Sequence, residues 1–562
     1  MFNSKEDIIL PLKTYQNKGI ILEQMDLNKR LILALMLSFF ILFGFSYLFP
    51  QPKKSNSEIN ATQKVQSSQA SPAPQTAKSA PQTSAQTKNA PKKVTNQASA
   101  DGVLATVETK KYKLKIDSLG RFSSVTLKES KYKDEKGNPL ELLDPKRTRP
   151  LEVRFADSTI NEKAFKVNYS SSLKDINASN SKQSITLTQN LGDVTISKIL
   201  TFYPEGHYDL SVKVSKNIDY FITTGHRPEA DKSMYMIVRG ALVRDANGII
   251  TTFEDDDIKE SKTLENITIL SSFDRYYSSL FFNFDKPFSV VVAPDAEGSP
   301  LAFVKSNSNL ELKAYVGPKE WKLFESLDRR LTDAIEFGWF TFLAKPFFKI
   351  MLLIYNFIGN WGWAIVIFTI LIKLILFPLS YKGMMSMQKL KDLAPKMKEL
   401  KEKYKDDPAK MNMKMMELYK RHGANPMGGC LPMLLQIPVF FALYRVLLNA
   451  DELQGAPWIW WITDLSKQDP YFVLPILMGA TMYIQQVITP NTMTDPMQQK
   501  IFRWFPVIMT FFFLTFPAGL VLYWLTNNIL SIAQQQYINF AYEKYKKEMK
   551  MKTDSKKDEK KK

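Results

Sequence analysis

Residues 368–379 read FTILIKLILFPL, an apolar run with a single charged residue, Lys373. A lysine near the middle of a membrane-spanning helix raises the free energy of insertion by about 2.5–3.5 kcal/mol unless its ammonium meets water or a partner group. Two explanations of this lysine remain open. In the first, its four-carbon side chain extends to the lipid phosphates. In the second, its charge faces a water-filled recess between helices, as ionisable groups inside membranes usually do.

The whole chain is basic and poor in the residues of common catalytic sites. It has 562 residues, a net charge of +19 and one cysteine, Cys430, which excludes an intramolecular disulfide. Its three histidines are scattered, and the sequence contains no HExxH, CxxC, GxSxG, P-loop or GxGxxG pattern. We therefore predict no metal site, no cofactor and no enzymatic activity. The lysines crowd beside apolar runs, which indicates a membrane protein with basic faces rather than a specific nucleic-acid site.

The N-terminal part predicts an anchor followed by a linker. Residues 31–49 are 19 uncharged residues, enough for about 28 Å of helix, so they predict a transmembrane anchor. A cleavable signal peptide is the alternative, but its apolar region is usually shorter and ends at a small-residue site. Residues 1–30 would be cytoplasmic, with 1–24 either a genuine extension or a misassigned start before Met25. Residues 50–100, rich in Ser, Gln, Ala, Pro, Thr and Lys, predict a disordered linker.

Residues 101–319 alternate apolar and polar side chains with a period of two. This pattern is typical of strands with one wet face, and it predicts a large, mainly antiparallel β-sandwich. It is clearest in four segments: 112–116, 184–188, 208–214 and 310–316. In residues 320–360 the period lengthens to three and four. We interpret this segment as an amphipathic interfacial helix region because Pro346 and two lysines interrupt its apolar run, with a second spanning helix as the alternative.

Five further apolar segments predict a polytopic α-helical core. They cover residues 361–379, 429–448, 471–488, 501–516 and 518–537. With the anchor, the chain would cross the membrane six times, so both termini would lie on one side. A cytoplasmic loop at 489–500 would join two of the spans.

The charges of the loops predict the orientation. Residues 381–428 carry twelve Lys and Arg, and the tail after Phe540 carries ten more Lys, whereas the loop 449–470 has four carboxylates and one lysine. By the positive-inside rule, the segment 380–428 and the basic tail 541–562 are cytoplasmic, and the loop 449–470 lies on the outer side together with the β domain, which is the periplasm in a Gram-negative bacterium.

Residues 380–428 predict a cytoplasmic helical hairpin. Apolar residues recur at three and four along two arms, and Asp407 with Pro408 predicts the start of the second helix. The stripe is explained either as the seam between the arms or as a pliable, methionine-rich surface for client segments. The methionines proposed for such contacts are Met384, Met387, Met411 and Met415.

No Asp or Glu lies within the predicted spans to neutralise Lys373. Thr369, Gln436, Gln485, Gln486 and the run 526–528 offer polar lining instead. A cation in a recess open to the cytoplasm would attract carboxylates, at about 4 kcal/mol for a 4 Å separation and an effective dielectric near 20, before desolvation. Such a site could hold an acidic segment transiently.

Several ordered motifs resemble the YidC family of membrane protein insertases, which is related to the mitochondrial Oxa-type proteins. The similarity is strong over residues 359–541 and includes NPMGGCLPMLLQIPVFFALY (425–444), DLSKQDPY (464–471), DPMQQK (495–500) and FPAGLVLY (516–523). The layout of anchor, linker and β domain matches the Gram-negative form.

The resemblance implies a bacterial inner-membrane insertase and chaperone with a hydrophilic groove, whose positive residue falls on Lys373. Arginine is usual there, and lysine can lose its charge when dry. The family's substrate-contacting positions correspond to Thr369, Tyr523 and Trp524, where a tyrosine is common in place of Trp524. The implied partners are nascent membrane proteins, the Sec translocon and, through the basic tail, the ribosome, with membrane lipids as a competing explanation of that tail.

Two other classes of function remain as alternatives. A transporter or channel would be favoured by internal repeats or paired broken helices, and residues 361–537 show neither. The β domain could instead be the active module, with the helices serving only as its anchor.

Overall fold

The computed structural model describes residues 102–230, 238–255, 257–425, 431–489 and 496–559. The predicted N-terminal segment 1–30, the anchor 31–49 and the linker 50–100 lie outside the described residues.

The first part of the described chain is a β domain. Its strands are β1 Val103–Glu108, β2 Tyr112–Asp117, β3 Phe122–Leu127, β4 Val153–Phe155, β5 Ser170–Ser171, β6 Asp175–Asn177, β7 Gln183–Asn190, β8 Thr195–Phe202, β9 His207–Val214, β10 Tyr220–Thr223, β11 Gly240–Asp245, β12 Ile250–Glu254, β13 Lys262–Phe273, β14 Tyr277–Phe282, β15 Phe288–Pro294, β16 Pro300–Ser306 and β17 Leu310–Pro318. One short helix, α1 Ser158–Ala164, lies between β4 and β5. The four strands that the sequence predicted correspond to β2, β7, β9 and β17.

The strands form two sheets. The smaller has the order β3-β2-β1-β6, and the larger runs β4-β10-β16-β15-β13-β14-β17-β9-β8-β7-β5, with β11 paired to β13 and β12 paired to β11. Within these sheets the described strand pairs are antiparallel, apart from β1 with β6. In β8 every second residue is buried, as expected of a strand with one face on a core. The prediction of a mainly antiparallel β domain is confirmed.

Both sheets contribute side chains to one hydrophobic core. Phe122 of the smaller sheet packs edge to face against Tyr208 of the larger, with ring centroids 5.4 Å apart and ring planes at 65°. Two sheets joined face to face in this way are the defining feature of a sandwich. The larger sheet has thirteen strands, more than the simple sandwich that the sequence predicted.

Helices follow the β domain. They are α2 Trp321–Leu327, α3 Thr341–Ile358, α4 Trp361–Lys403, α5 Pro408–Arg421, α6 Leu431–Asn449, α7 Val473–Ile488, α8 Pro496–Phe513 and α9 Ala518–Glu559. Among the residues that the structure describes, α3 and α4 are long and apolar enough to cross a membrane by length and composition.

Helix α4 is longer than the predicted span. It begins at Trp361, where the side chain of Asn360 accepts a hydrogen bond from Trp363 N, and it continues for 43 residues through Pro378 and Pro395. The predicted boundary between the span 361–379 and the hairpin 380–428 therefore falls inside one helix of about 65 Å. The first arm of the hairpin is a direct extension of that span.

The second arm, α5, packs back on α4. Asp407 caps α5 by accepting from Lys410 N at 3.0 Å, and Pro408 occupies its first turn, as the sequence predicted. Leu390, Leu393 and Met397 of α4 form a small apolar cluster with Ala424, against which Met415, Leu418 and Tyr419 pack. These contacts make the apolar stripe at least in part the seam between the two arms.

Candidate functional site

The ammonium of Lys373 is directed at another helix. Its Nζ donates a hydrogen bond to Ser531 Oγ of α9 at 2.8 Å, and Lys373 is half-buried. The Ser531 hydroxyl in turn donates to the Asn527 carbonyl at 2.7 Å. The serine can do both because a hydroxyl has one donor and two acceptor positions.

The polar contacts continue to a third helix. Gln436 of α6 donates through Nε2 to the Tyr523 hydroxyl at 2.9 Å and to Asn527 Oδ1 at 3.3 Å. We call Lys373, Ser531, Asn527, Gln436 and Tyr523 the polar chain. It joins α4, α9 and α6, three helices that are otherwise rich in apolar residues.

The spacing on α9 explains why the chain is continuous. Tyr523, Asn527 and Ser531 are four residues apart, so they lie on one face of the helix, one above the other. Sequence reasoning named Tyr523 and Asn527 but missed Ser531. The four-residue spacing was the signal that could have found it.

Thr369 lies one turn before Lys373, but its hydroxyl is used locally. It donates to the Ile365 carbonyl of the same helix at 2.7 Å, and the residue is only 2 % exposed. Threonine often bonds back to the preceding turn in this way. The structure therefore does not connect Thr369 to the polar chain by a described hydrogen bond.

Trp524 is next to Tyr523 but belongs to an aromatic contact. Its ring meets Phe440 of α6 edge to face, with centroids 4.8 Å apart, and Phe513 of α8 at 5.0 Å. These contacts join α6, α8 and α9, and Trp524 is half-buried.

Other predicted polar residues lie elsewhere. The Asn528 amide is 3.4 Å from both the Met478 carbonyl and Thr481 Oγ1 of α7, and Gln486 of α7 donates to the Phe502 carbonyl of α8. These groups hold α7 to its neighbours and take no described part in the polar chain.

Lys373 has no carboxylate oxygen within 4.0 Å in the described part of the chain. Among the described residues, the Lys373 ammonium is therefore hydrogen-bonded to a hydroxyl and is not neutralised by a carboxylate. No group of three or more His, Cys, Asp or Glu residues in this part of the chain is arranged to hold a metal ion.

A second set of polar contacts joins the first arm of the hairpin to α9. Gln388 donates to Asn539, and the Tyr542 hydroxyl donates to Asp392 Oδ2 at 3.0 Å. Lys546 adds an ion pair with the same carboxylate, also at 3.0 Å. The described contacts between α4 and α9 thus run from Lys373 to Asp392, within the hairpin arm.

The four methionines proposed for client contacts lie on this hairpin. Met384 and Met387 of α4, and Met411 and Met415 of α5, are all half-buried. Met413 and Met416 are 59 % and 53 % exposed, so the outer face of α5 presents thioether side chains to its surroundings.

The loop 449–470 contacts the β domain. Asp451 Oδ2 accepts from Lys131 Nζ at 3.0 Å and from the Tyr132 hydroxyl at 2.7 Å, and Glu452 accepts from Trp321 N at 3.0 Å. Arg275 of the β domain also donates to the Leu448 carbonyl at the end of α6, at 2.6 Å. The β domain and this loop therefore lie against each other at the same end of the helices.

Two family models match the chain. One, described as the 60Kd inner membrane protein, matches residues 353–547, and one described as the YidC periplasmic domain matches residues 104–266 and 296–350. Together they include the polar chain and most of the β domain.

Proteins named membrane protein insertase YidC are similar over nearly the whole chain. The one from Campylobacter jejuni is 49 % identical over 526 residues, which cover 92 % of this chain and 98 % of the relative. Those from Wolinella succinogenes and Helicobacter pylori are each 46 % identical, over 93 % and 92 % of this chain and 97 % of each relative.

Proposed function

The chain belongs to the YidC family of membrane protein insertases, and from this we propose that it inserts membrane proteins into the bacterial inner membrane by way of the polar chain. The clients would be nascent membrane proteins with short, acidic translocated segments. The observation that carries this proposal is the Lys373 ammonium, which meets a hydroxyl of another helix and no carboxylate among the described residues.

The polar chain offers a client both charge and hydrogen bonds. An acidic side chain 4 Å from the ammonium would gain about 4 kcal/mol at an effective dielectric near 20, before desolvation. The amide of Gln436 and the hydroxyl of Tyr523 could bond to polar backbone groups, which are costly to leave unpaired in lipid. Outward movement of the acidic residue would then gain about 2.3 kcal/mol per charge for each 100 mV of membrane potential.

The proposed topology has six spans, with the N-terminus, the hairpin and the basic tail in the cytoplasm. The hydrogen bonds of Asp451 with Lys131 and Tyr132 of the β domain support a common, periplasmic side for that domain and the loop 449–470. Helix α3 has 18 residues, a length that suits either an interfacial or a spanning helix. Its lysines, Lys345 and Lys349, pair with Asp333 and Glu325, which favours the interface.

The partners beyond the client are proposed from the family and the charge pattern. They are the Sec translocon, membrane lipids and, through the ten lysines after Phe540, the ribosome. The exposed methionines of the hairpin suit apolar segments of varied shape, because the thioether side chain is flexible and polarizable. The proposed mechanism needs no cofactor and no enzymatic step.

Site-specific photo-crosslinking tests the route. A photoreactive residue at Gln436 or Asn527 should crosslink to a ribosome-bound membrane protein with an acidic N-terminal tail. Ile529, also on α9 and 51 % exposed, is the matched control because it lies two residues from Asn527 and so faces a different direction. Equal crosslinking from Ile529 and Gln436 would contradict passage along the polar chain.

A further inference from the structure

A cavity of about 380 Å³ lies where the β domain, the loop 449–470 and the turn between α3 and α4 meet. Its lining includes Lys131 of the β domain, Glu320 and Lys322 at the start of α2, Trp361 at the start of α4, and Asp451 and Glu452 of the loop. The volume is in the range of small-ligand sites, which are about 300–1,000 Å³. The polar chain does not contribute to this cavity.

The carboxylates of the cavity have more acceptor capacity than their described partners use. Asp451 is 1 % exposed, and both its hydrogen bonds, from Lys131 and Tyr132, reach Oδ2. Its Oδ1 is buried and has no hydrogen-bond partner among the described residues. Glu452 accepts from Trp321 N, and in the described part of the chain no Lys or Arg nitrogen lies within 4.0 Å of its carboxylate.

The pKa shifts of Asp451 and Glu452 also indicate too little positive charge around these carboxylates. Burial, followed by the charge of the neighbouring Asp451, raises the pKa of Glu452 to about 7. Burial is also the largest cause of the raised pKa of Asp451, against the opposing charge of Lys131. Of these two adjacent carboxylates only Asp451 pairs with a described lysine, and an additional cation in the cavity would stabilise the charged form of both.

The opposite charge is also available at the cavity. Lys322 is exposed, its Nζ lies 2.9 Å from Asn356 Oδ1, and it forms no ion pair with the described carboxylates. The rings of Tyr355 and Trp361 stack beside it, with centroids 4.5 Å apart. The cavity therefore presents an acidic inner end and a basic, aromatic outer end, which suits a zwitterion.

The position of the cavity indicates the source of that zwitterion. It lies at the junction of α3 and α4, and the last turns of α3 carry Leu353 and Phe357, which are 70 % and 91 % exposed. In the proposed topology this junction lies at the periplasmic surface of the membrane, where apolar side chains of this kind meet acyl chains.

We propose that the cavity binds the headgroup of an ethanolamine phospholipid. The ammonium pairs with Glu452 and the free oxygen of Asp451, the phosphate pairs with Lys322, and the acyl chains lie along Leu353 and Phe357. The bound lipid therefore joins the loop 449–470 to α2 and α3. This inference depends on the proposed membrane orientation and is independent of the insertion route.

Native mass spectrometry of the full chain from nanodiscs tests the proposal. The nanodiscs contain equal amounts of phosphatidylethanolamine, phosphatidylcholine and phosphatidylglycerol with identical acyl chains. We expect retained ethanolamine lipid to exceed each of the other two lipids by about tenfold, as a part-buried charge pair would provide.

Glu452→Gln should reduce this preference for ethanolamine lipid to about twofold. Lys322→Ala should weaken retention of all three lipids. Glu311→Gln, at an exposed carboxylate of β17, is the control that should change nothing.

Three outcomes would overturn the proposal. They are equal retention of the three lipids by the unaltered chain, an undiminished preference in Glu452→Gln, and complete displacement of the lipid by soluble phosphoethanolamine. The last would assign the cavity to a soluble ligand. If Glu452→Gln fails to fold, Leu352→Trp fills the cavity from α3 without changing its charge, and it should abolish the preference. Insertion activity is not the readout, so failure here would leave the proposed function untouched.

Discussion

Replacement of Lys373 should separate the role of its charge from its role in the fold. Lys373→Met removes the ammonium while keeping an unbranched side chain of similar length. Ser531 loses the hydrogen bond that it accepts at 2.8 Å but keeps its own bond to the Asn527 carbonyl at 2.7 Å. No polar group of Ser531 is then left without a partner, so we expect the free energy of unfolding to fall by only about 1 kcal/mol.

The expected effect on insertion is larger. An acidic client residue about 4 Å from the ammonium gains about 4 kcal/mol at an effective dielectric near 20. If desolvation cancels half of this gain, about 2 kcal/mol remains, which corresponds to about 30-fold in rate or occupancy. Lys373→Glu adds repulsion of similar size and should block insertion of acidic-tailed clients. Lys373→Arg keeps the charge and should retain most activity.

The assay is insertion of a short client into vesicles that contain equal amounts of each variant. Two clients are compared, one with an acidic translocated tail and one in which the acids are replaced by amides. Lys382→Met, an exposed lysine nine residues further along the same helix, is the matched control and should behave like the unaltered chain. Normal insertion of the acidic client by Lys373→Met and Lys373→Glu would refute the reasoning, as would an equal loss for both clients.

Three further predictions concern other contacts. Gln436→Leu removes the donor to Tyr523 and Asn527 and should slow insertion about tenfold for acidic and neutral clients alike, measured in the same vesicles, whereas a loss confined to the acidic client would contradict it. Asp407→Ala removes the cap of α5 and should destabilise the hairpin by about 1 kcal/mol, seen as faster amide hydrogen exchange in α5 but not in α7. In the folded state the pKa of Glu452 is raised to about 7, so the folded protein binds this proton more tightly than the unfolded chain does. The free energy of unfolding should therefore fall by up to about 3 kcal/mol as the pH rises from about 4.5 to 7. Thermal unfolding should show a smaller fall between pH 5 and pH 8 in Glu452→Gln than in the unaltered chain, and an equal fall would contradict the assignment.

The sequence predicted the parts of the fold that depend on local pattern. The period of two located β2, β7, β9 and β17, because a strand with one wet face repeats every second residue. Asp407 and Pro408 predicted the start of α5, because a cap and a first-turn proline act within one turn. The end of the span 361–379 was harder to place. The sequence predicted a boundary at residue 379, yet α4 continues to Lys403, and its Leu390, Leu393 and Met397 pack against α5.

In the candidate site, too, some features followed from the sequence and others only from the tertiary structure. The sequence alone determined that one amine, Lys373, lies in an apolar helix without an acidic residue in the predicted spans, because this depends only on composition and order. Only the tertiary structure decided that Ser531, 158 positions away, accepts a hydrogen bond from the Lys373 ammonium, and that the hydroxyl of Thr369 donates to its own helix. It also decided that the loop carboxylate Asp451 bonds to the β domain and Glu452 to α2, beside a cavity. Such pairings depend on which helix faces pack together, and that choice is fixed by the whole set of contacts rather than by any local pattern.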